Sequence, residues 1–279
     1  MRALTKENIE AYKVNLINEE KSEITIEKYL RDINTFASWI GEKEFDKTDV
    51  LIYKAELTKR YAPSSVNTVI SSLNSFFVFH EWYDLKVRTL KIQKTIFTVE
   101  EKELTKAEYE RLLNIAQKKK NERLYLLMQT ICSTGIRISE LKYVTIEAIN
   151  KGRADIQAKG KRRTVFFPKQ LCYMLKVYAK EKNIKKGAIF VTKSGTPMNR
   201  SNIWTSMKKL CKEANVSEEK VYPHNLRHLF ARTYYTQQKD IVRLADILGH
   251  SSVNTTRIYT IESGEIHRKQ IQKLGLLRC

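Results

Sequence analysis

Apolar residues recur every three to four positions over much of the chain, and this spacing constrains the fold more than any other feature of the sequence. In the first 90 residues it predicts four helices, around 9–17, 26–40, 50–57 and 66–77. Thr25 is the expected N-cap of the second helix, Gly41 is its expected end, and Pro63 is typical of the start of the fourth. Residues 1–90 are therefore predicted to form a helical bundle domain.

The helical spacing fades after Arg88, so a linker is predicted at 91–103 and a second domain at 104–279. Thr105 and Glu108 have the spacing of a capping box at the start of its first helix. Further helical segments are expected over 106–118, over 122–133, briefly over 137–143, after Pro168, and from Arg200 onward.

Short β-strands are predicted in the second domain alone. Residues 154–158 and 163–167 flank a tight basic turn, which is the pattern of a β-hairpin, and 188–191 is a candidate third strand. The predicted fold class is mainly α (α+β): an N-terminal helical bundle followed by a mixed domain with a small β-hairpin.

The charge of the chain is strongly positive and unevenly distributed. Its 51 lysines and arginines, against 31 aspartates and glutamates, give a formal charge of +20 and a pI near 9.7. Residues 1–97 hold 15 basic and 14 acidic side chains, whereas residues 98–279 hold 36 and 17. Such a field attracts polyanions, chiefly nucleic acid, although excess lysine also occurs on ordinary solvated surfaces. We expect the second domain to be the main contact with phosphate.

Composition excludes several classes of protein. A hydrophobic fraction of 42% excludes a wholly disordered chain. No apolar run approaches the roughly 20 residues of a membrane span, and the charged first 21 residues lack the apolar core of a signal peptide. The four cysteines are far apart, which argues against a disulfide framework or a cysteine zinc site. We expect a cytoplasmic protein without a membrane partner.

Four local motifs carry side chains suited to chemistry. They are Thr-Gly-Ile-Arg137-Ile-Ser-Glu140-Leu, the turn lysine Lys159, the run His224-Asn-Leu-Arg227-His228, and Leu-Gly-His250 followed nine residues later by Tyr259. Each alone has an ordinary explanation, since such arginines and lysines are usually solvated and a lone tyrosine usually packs in a core. His224 and His228 have the i, i+4 spacing of a zinc pair. However, the glutamate of His-Glu-x-x-His and an obvious third ligand are missing, so no metal is expected.

Together the motifs suit the cleavage of a phosphodiester. Two arginines can hold the non-bridging oxygens through forked donors and offset the added charge of a pentavalent transition state, and a histidine donor can join them. A tyrosine, with an ordinary pKa of about 10, needs such a cationic field to act as a nucleophile. A lysine can protonate the leaving 5′ oxygen. No step requires a metal or another cofactor.

With these motifs in this order, the sequence resembles the tyrosine recombinase (integrase) family over residues 104–262. The positions that match the family pattern are Arg137, Lys159, His224, Arg227, His250 and Tyr259. The separations of 23 residues between Arg227 and His250 and of nine between His250 and Tyr259 are similar to those of Xer-type members. The first domain resembles the family's SAM-like core-binding domain, without comparably diagnostic residues.

The resemblance implies a site-specific recombinase that cleaves and rejoins duplex DNA through a 3′-phosphotyrosyl intermediate, without metal or ATP. It assigns the nucleophile to Tyr259, protonation of the leaving oxygen to Lys159, phosphate stabilisation to Arg137, Arg227 and His250, and assistance in proton transfer to His224. Glu140 and His228 are expected to support these groups rather than to act on the substrate.

The resemblance also implies an assembly. The two domains would form a C-shaped clamp on DNA, as a dimer on one recombination site and a tetramer in synapsis, mostly through phosphate contacts. A C-terminal helix over 261–277 would dock on a neighbour or pack on its own domain. Family members often carry glycine in the turn where this chain has Gln237–Asp240.

The sequence leaves several questions open. These are the target site, the biological role (integration and excision, resolution, or inversion), and the need for a second recombinase or an accessory protein. A type IB topoisomerase and a DNA-binding regulator without catalytic activity are the alternative functions.

Overall fold

The computed structural model describes residues 2–92, 102–158, 161–192, 194–259 and 272–274. The chain divides into two compact units, residues 1–94 and 95–279, and each has its own hydrophobic core. None of the helices in the described ranges combines the length and the apolar character that crossing a membrane requires.

Four helices and a short 3-10 turn make up the described part of the first unit. They are α1 (Lys6–Asn18), α2 (Glu23–Ile40), α3 (Lys47–Arg60), α4 (Pro63–Phe79) and the turn Tyr83–Leu85. Aromatic rings fill the core: Phe36 packs against Tyr53 and Phe45, with ring centroids 5.0 and 5.4 Å apart. Burial of each such ring contributes roughly 1.5–3 kcal/mol, so this unit has an ordinary apolar core.

The four predicted helices of the first unit are confirmed, but one predicted cap is wrong. Ser22, not Thr25, is the N-cap of α2, and its hydroxyl accepts the Thr25 backbone N–H. Both residue types cap helices well, and the helix starts at the earlier one. The negative charge of Glu23 in the first turn then interacts favourably with the positive end of the helix dipole. Gly41 ends α2 and Pro63 opens α4, as predicted.

The second unit combines helices with one β-hairpin. Its α-helices and strands are α5 (Lys106–Lys118), α6 (Glu122–Thr134), α7 (Ile146–Lys151), β1 (Arg153–Ala158), β2 (Lys161–Phe166), α8 (Lys169–Glu181), α9 (Arg200–Ala214), α10 (Pro223–Gln238), α11 (Ile241–Leu248) and α12 (Val253–Thr256). Short 3-10 segments cover Ile138–Tyr143, Glu218–Lys220 and Arg257–Tyr259. The strands are antiparallel, with Ile156 opposite Arg163. The capping box of Thr105 and Glu108 is confirmed.

The predicted third strand is wrong. Among the described residues the sheet has two strands, and the segment 188–191 makes only single bridges, from Ala188 to Thr145 and from Val191 to Pro197. Ile189 and Phe190 are buried in the core of the second unit. The apolar run therefore signalled burial of an extended segment rather than pairing with another strand.

The turn after α10, the two segments largely outside the described residues, and the cysteines complete the comparison with the sequence predictions. The turn after α10 contains Lys239 with a φ of +53°, the left-handed conformation that glycine adopts most easily. The predicted C-terminal helix over 261–277 lies outside the described residues except at 272–274, and most of the predicted linker over 91–103 lies outside them too. Cys132, Cys172 and Cys211 are free thiols.

Candidate active site

Arg227 is a buried arginine on α10, with 2% of the residue exposed. A buried guanidinium requires hydrogen-bond acceptors. One Nη donates to the carbonyl oxygen of Gly135, and the other donates to the carbonyl of Leu248 at 2.7 Å and contacts His250 Nε2 at 3.2 Å. Burial is the main reason that the pKa of Arg227 falls to about 10, so the group stays protonated at neutral pH.

Glycines at the ends of α6 and α11 allow this arrangement. Gly135 and Gly249 have φ values of +64° and +62°, in the left-handed region. A Cβ on Gly135 would lie 2.5 Å from the Phe230 ring, and a Cβ on Gly249 would collide with the Arg163 side chain. Both helix ends can therefore adopt the left-handed conformation and pack against Phe230 and Arg163 because neither position carries a side chain.

Arg137 lies at the edge of the cleft, with 37% of its side chain exposed. Its guanidinium donates to Glu140 Oε1 at 3.0 Å and to the carbonyl of Gly249 at 3.1 Å, and its backbone N–H donates to Glu140 Oε2 at 2.9 Å. Glu140 is itself buried and also accepts a hydrogen bond from Arg163. Arg137 is thus held by one carboxylate and by the end of α11.

The carboxylate of Glu140 is ionised. Burial alone would raise its pKa, but hydrogen bonds from Arg163 and the Arg137 backbone, together with the charges of both arginines, outweigh burial and hold the pKa below its ordinary value. The pair of arginines therefore faces a charged acceptor.

His250 begins the segment after α11. Its Nε2 contacts Arg227, and its Nδ1 lies 2.9 Å from the hydroxyl of Thr256. Because arginine has no acceptor, Nε2 must be the acceptor, so the ring is neutral and carries its proton on Nδ1. Burial and the charges of Arg227, Arg137 and Arg163 lower the pKa of His250 to about 4, in agreement with a neutral ring.

Tyr259 is 4% exposed and lies between two histidine rings. The His228 ring meets it edge to face at 4.9 Å, and the His250 ring is nearly parallel to it at 6.2 Å. Burial raises the pKa of Tyr259, while the charge and hydrogen bond of Arg227 and the charge of Arg137 lower it by less. The phenol is therefore protonated at neutral pH in the free protein.

His224 lines a small cleft of about 180 Å³ with Arg137, Arg200 and Arg227. Desolvation and the charges of these arginines lower the pKa of His224. The neighbouring His228 ring lies 4.5 Å away, and burial is the main reason that its pKa falls to about 4. Within the described ranges, no group of three histidine, cysteine or acidic side chains is arranged as a metal site.

Five of the six predicted site residues lie together. Arg137 follows α6, His224 and Arg227 lie in the first two turns of α10, His250 follows α11, and Tyr259 ends the 3-10 segment after α12. The sixth, Lys159, is outside the described residues. The strands that flank Lys159 form one side of a cleft of about 940 Å³. Arg137 and His250 line the same cleft.

Sequence reasoning missed three residues of this region. Arg163 is on the inward face of β2, between the exposed Arg162 and Thr164 and two residues before the buried Val165. This alternation along the predicted strand could have indicated that Arg163 points into the protein. Arg200 begins α9 and lines the cleft of His224, and Thr256 accepts a hydrogen bond from His250. No local pattern distinguishes these last two.

The arrangement carries more positive than negative charge. The two clefts are lined by more arginines than carboxylates: Arg137, Arg162, Arg163, Arg200 and Arg227, against Glu140 and Asp246. Forked donors around a cationic cleft favour an anion with several oxygens, such as a phosphate group. A tyrosine hydroxyl beside such an anion is positioned for nucleophilic attack.

Comparison with known proteins agrees with this chemistry. The sequence profile of the Phage integrase family matches residues 102–265, and that of the phage integrase N-terminal SAM-like domain matches residues 9–83. Tyrosine recombinase XerA of Pyrococcus furiosus is 30% identical over 289 residues, which cover 99% of this chain and 96% of that protein.

Solved structures show the same fold. A XerA recombinase crystal structure has a TM-score of 0.54 at 25% identity and covers 99% of this chain and 100% of its own. A post-cleavage complex of XerH site-specific recombinase with a palindromic difH substrate has a TM-score of 0.73 at 20% identity, covering 96% and 89%. The chain therefore belongs to the phage integrase family, whose members of this type are site-specific tyrosine recombinases.

Proposed function

We propose that this recombinase cleaves each DNA strand by attack of Tyr259 on a phosphodiester, which leaves a 3′-phosphotyrosyl bond. The observation that carries the proposal is the position of Arg227, which contacts His250 Nε2 at 3.2 Å, while the His250 ring lies nearly parallel to the Tyr259 ring at 6.2 Å. A phosphate held by this guanidinium would lie beside the phenol, and proximity of this kind supplies much of the rate of a group-transfer reaction.

Arg137, Arg227 and His250 form the phosphate clamp in this proposal. In the free protein His250 Nε2 accepts from Arg227 and cannot donate. A bound phosphate brings a negative charge that favours the protonated ring and competes for the arginine, so DNA binding would raise the pKa of His250 and convert Nε2 to a donor. Three donors would then neutralise the charge that develops on the non-bridging oxygens.

The cleavage step is balanced without an external cofactor. The Tyr259 oxygen forms a bond to phosphorus, and the bond from phosphorus to the 5′ oxygen breaks with its electron pair on that oxygen. Lys159 supplies the proton that makes a 5′ hydroxyl, and the phenolic proton leaves with the assistance of His224. Attack of a 5′ hydroxyl on the phosphotyrosine reverses the step, so the bond energy is conserved and ATP is not needed.

The partner in the proposal is a duplex recombination site. XerH was solved on a difH substrate and a lambda integrase dimer on a COC′ core site, which supports DNA binding and multimeric assembly here. We assign DNA binding also to the helical domain at 1–90, a linker to 91–103 and catalysis to 104–279. The assembly would be a dimer on one site and a tetramer in synapsis.

The experiment that tests the nucleophile uses nicked duplexes made from the flanking sequence of the protein's own gene. The nick lets the short product diffuse away, so the covalent intermediate accumulates. We expect a slowly migrating protein–DNA adduct on a denaturing gel, formed in EDTA, and absent with Tyr259→Phe. Tyr234→Phe and Tyr235→Phe are matched controls that should retain it. An adduct that persists in Tyr259→Phe contradicts the assignment.

A second experiment tests Lys159 as the proton donor. Lys159→Ala should slow cleavage by about 10²- to 10⁴-fold on ordinary DNA, the usual contribution of a general acid. With sulfur in place of the 5′ bridging oxygen, the leaving group no longer needs a proton, so the variant should cleave nearly as fast as the wild type. Equal defects on both substrates would rule out this role.

A further inference from the structure

We propose that Arg163 is a positioning residue for the phosphate clamp, one that fixes Arg137 and His250 relative to each other. The inference rests on the proposed function but concerns a residue outside the six assigned positions.

Arg163 occupies an unusual place in the hairpin. It pairs with the buried Ile156 across the sheet, and the exposed Arg162 and Thr164 flank it, so its side chain lies on the face that packs against the protein. Only 11% of the side chain is exposed. Charge at such a position is costly unless it is paired, so the partners of this arginine explain why it is there.

The two ends of the guanidinium bind two different parts of the site. One Nη donates to Glu140 Oε2 at 2.5 Å, and the other donates to the backbone carbonyl of Ile247 at 2.5 Å. Glu140 in turn holds Arg137 through its backbone and its side chain, and Ile247 lies three residues before His250. Arg163 therefore links the segment that carries Arg137 to the end of α11 that presents His250.

Gly249 shows that the arginine occupies a defined space. A Cβ at this position would overlap the Cδ of Arg163, so the chain leaves room for that side chain between the hairpin and the start of the His250 segment. The bridge is thus fixed by packing as well as by hydrogen bonds. A shift of about 1 Å in such a support can cost a reaction roughly 100-fold in rate without a lost substrate contact.

A lysine cannot replace this arginine. The guanidinium reaches two acceptors through separate nitrogens of one planar group, whereas an ammonium is a single point that cannot hold both at once. We therefore expect Arg163→Lys to be defective although its charge is unchanged. A purely electrostatic contribution would be restored by this substitution.

The test measures single-turnover adduct formation and DNA affinity for Arg163→Gln and Arg163→Lys. Both should slow cleavage by about 100-fold while the Kd for DNA changes by less than about threefold, because the effect falls on the reaction step. Arg153→Gln is the matched control, an exposed arginine on the same hairpin whose removal should change neither quantity.

A double-mutant cycle identifies the route of the effect. If Arg163 acts through Glu140, then Glu140→Gln combined with Arg163→Gln should be no slower than the slower single variant. Wild-type rates in the Arg163 variants, rescue by lysine, or additive losses in the cycle would each overturn the inference. Because all rates are compared with the wild-type adduct, failure of the wild type to form one would instead count against the proposed function. If Arg163→Gln does not fold, the lysine variant alone decides.

Discussion

The two units of the chain bury charge in different ways. In the first unit the buried carboxylate of Asp32 is matched by a single cation, Lys28, and by the hydroxyl of Ser72, which donates to it at 2.7 Å. Every member of this cluster has a partner inside the unit, and the charges balance. Such a pair contributes little net free energy of folding but would be costly to break.

In the second unit the buried positive charges outnumber the buried negative charges around the site. One buried carboxylate, Glu140, faces both Arg137 and Arg163, while Arg227 binds two carbonyls and a histidine and forms no ion pair with a carboxylate in the described part of the chain. The surplus of positive charge is compensated when an anion binds. A balanced buried cluster thus indicates structure, and a cationic surplus beside a buried tyrosine indicates a site for phosphate.

The largest expected effect of removing a surplus cation from the second unit is on the rate of cleavage. Arg227→Gln should slow adduct formation by roughly 100- to 1000-fold, because it removes a donor to the developing charge. Arg111 is the matched control, since its guanidinium also donates to two carbonyls, those of Ala214 and Asn215, but away from the clefts. Arg111→Gln should cleave at the wild-type rate, and a wild-type rate for Arg227→Gln would break the comparison.

An intermediate effect is expected on stability at low pH. The pKa values of His228 and His250 are lowered to about 4, so the unfolded chain binds more protons than the folded one between about pH 4 and pH 6.5. The free energy of unfolding should therefore fall as the pH drops through this window, by up to about 3 kcal/mol for His228 and by less for His250, whose charge is screened more by solvent.

Thermal unfolding measured at several pH values checks this prediction. His228→Phe keeps a ring beside Tyr259 and removes one titrating group, so its stability should fall less steeply below pH 6.5 than that of the wild type. His80 is the counterpart in the first unit, where burial lowers its pKa and a hydrogen bond to the Asn8 carbonyl opposes the shift. An equal change in His80→Phe would contradict the assignment to the second unit.

The smallest expected effect on catalysis comes from the balanced cluster. Asp32→Asn should lower the free energy of unfolding by about 1–3 kcal/mol, because Lys28 loses its charged partner. At temperatures where the variant is folded, its cleavage rate should equal that of the wild type. A loss of rate comparable to that of Arg227→Gln would show that the two clusters are not separate in function.

Much of the fold could be predicted because local signals in this sequence agree with the tertiary structure. Gly41, Pro63 and the Thr105–Glu108 capping box each mark a helix boundary that the structure has. The N-cap of α2 was predicted wrongly at Thr25, because the actual cap, Ser22, is only three residues earlier and both serine and threonine cap helices well. Residues 188–191 show a second limit of prediction from sequence. Their apolar run indicates that the segment is buried, but it does not indicate whether the segment pairs with another strand.

The candidate site divides in a similar way. Five site residues were predicted from local sequence motifs, and the structure places them in one region: Arg137, His224, Arg227, His250 and Tyr259. The proton position on His250 and the protonated state of Tyr259 depend on burial and on contacts between distant segments, which no local pattern reports.

Arg163 shows the same limit for a supporting residue. Its proposed role depends on hydrogen bonds from its guanidinium to Glu140 and Ile247, which are 23 and 84 positions away in the sequence. The alternatives of a type IB topoisomerase and of an inactive regulator are not favoured, since the relatives reported above are recombinases.

The assignment of Tyr259 as the nucleophile is best tested by identifying the amino acid that carries the DNA. The adduct trapped on nicked DNA is digested with protease and nuclease, and the remaining nucleotide-bearing peptide is sequenced by mass spectrometry. We expect one nucleotide joined through its 3′ phosphate to Tyr259, with a free 5′ hydroxyl on the released strand. A nucleotide on another residue, or a linkage through a 5′ phosphate, would contradict it.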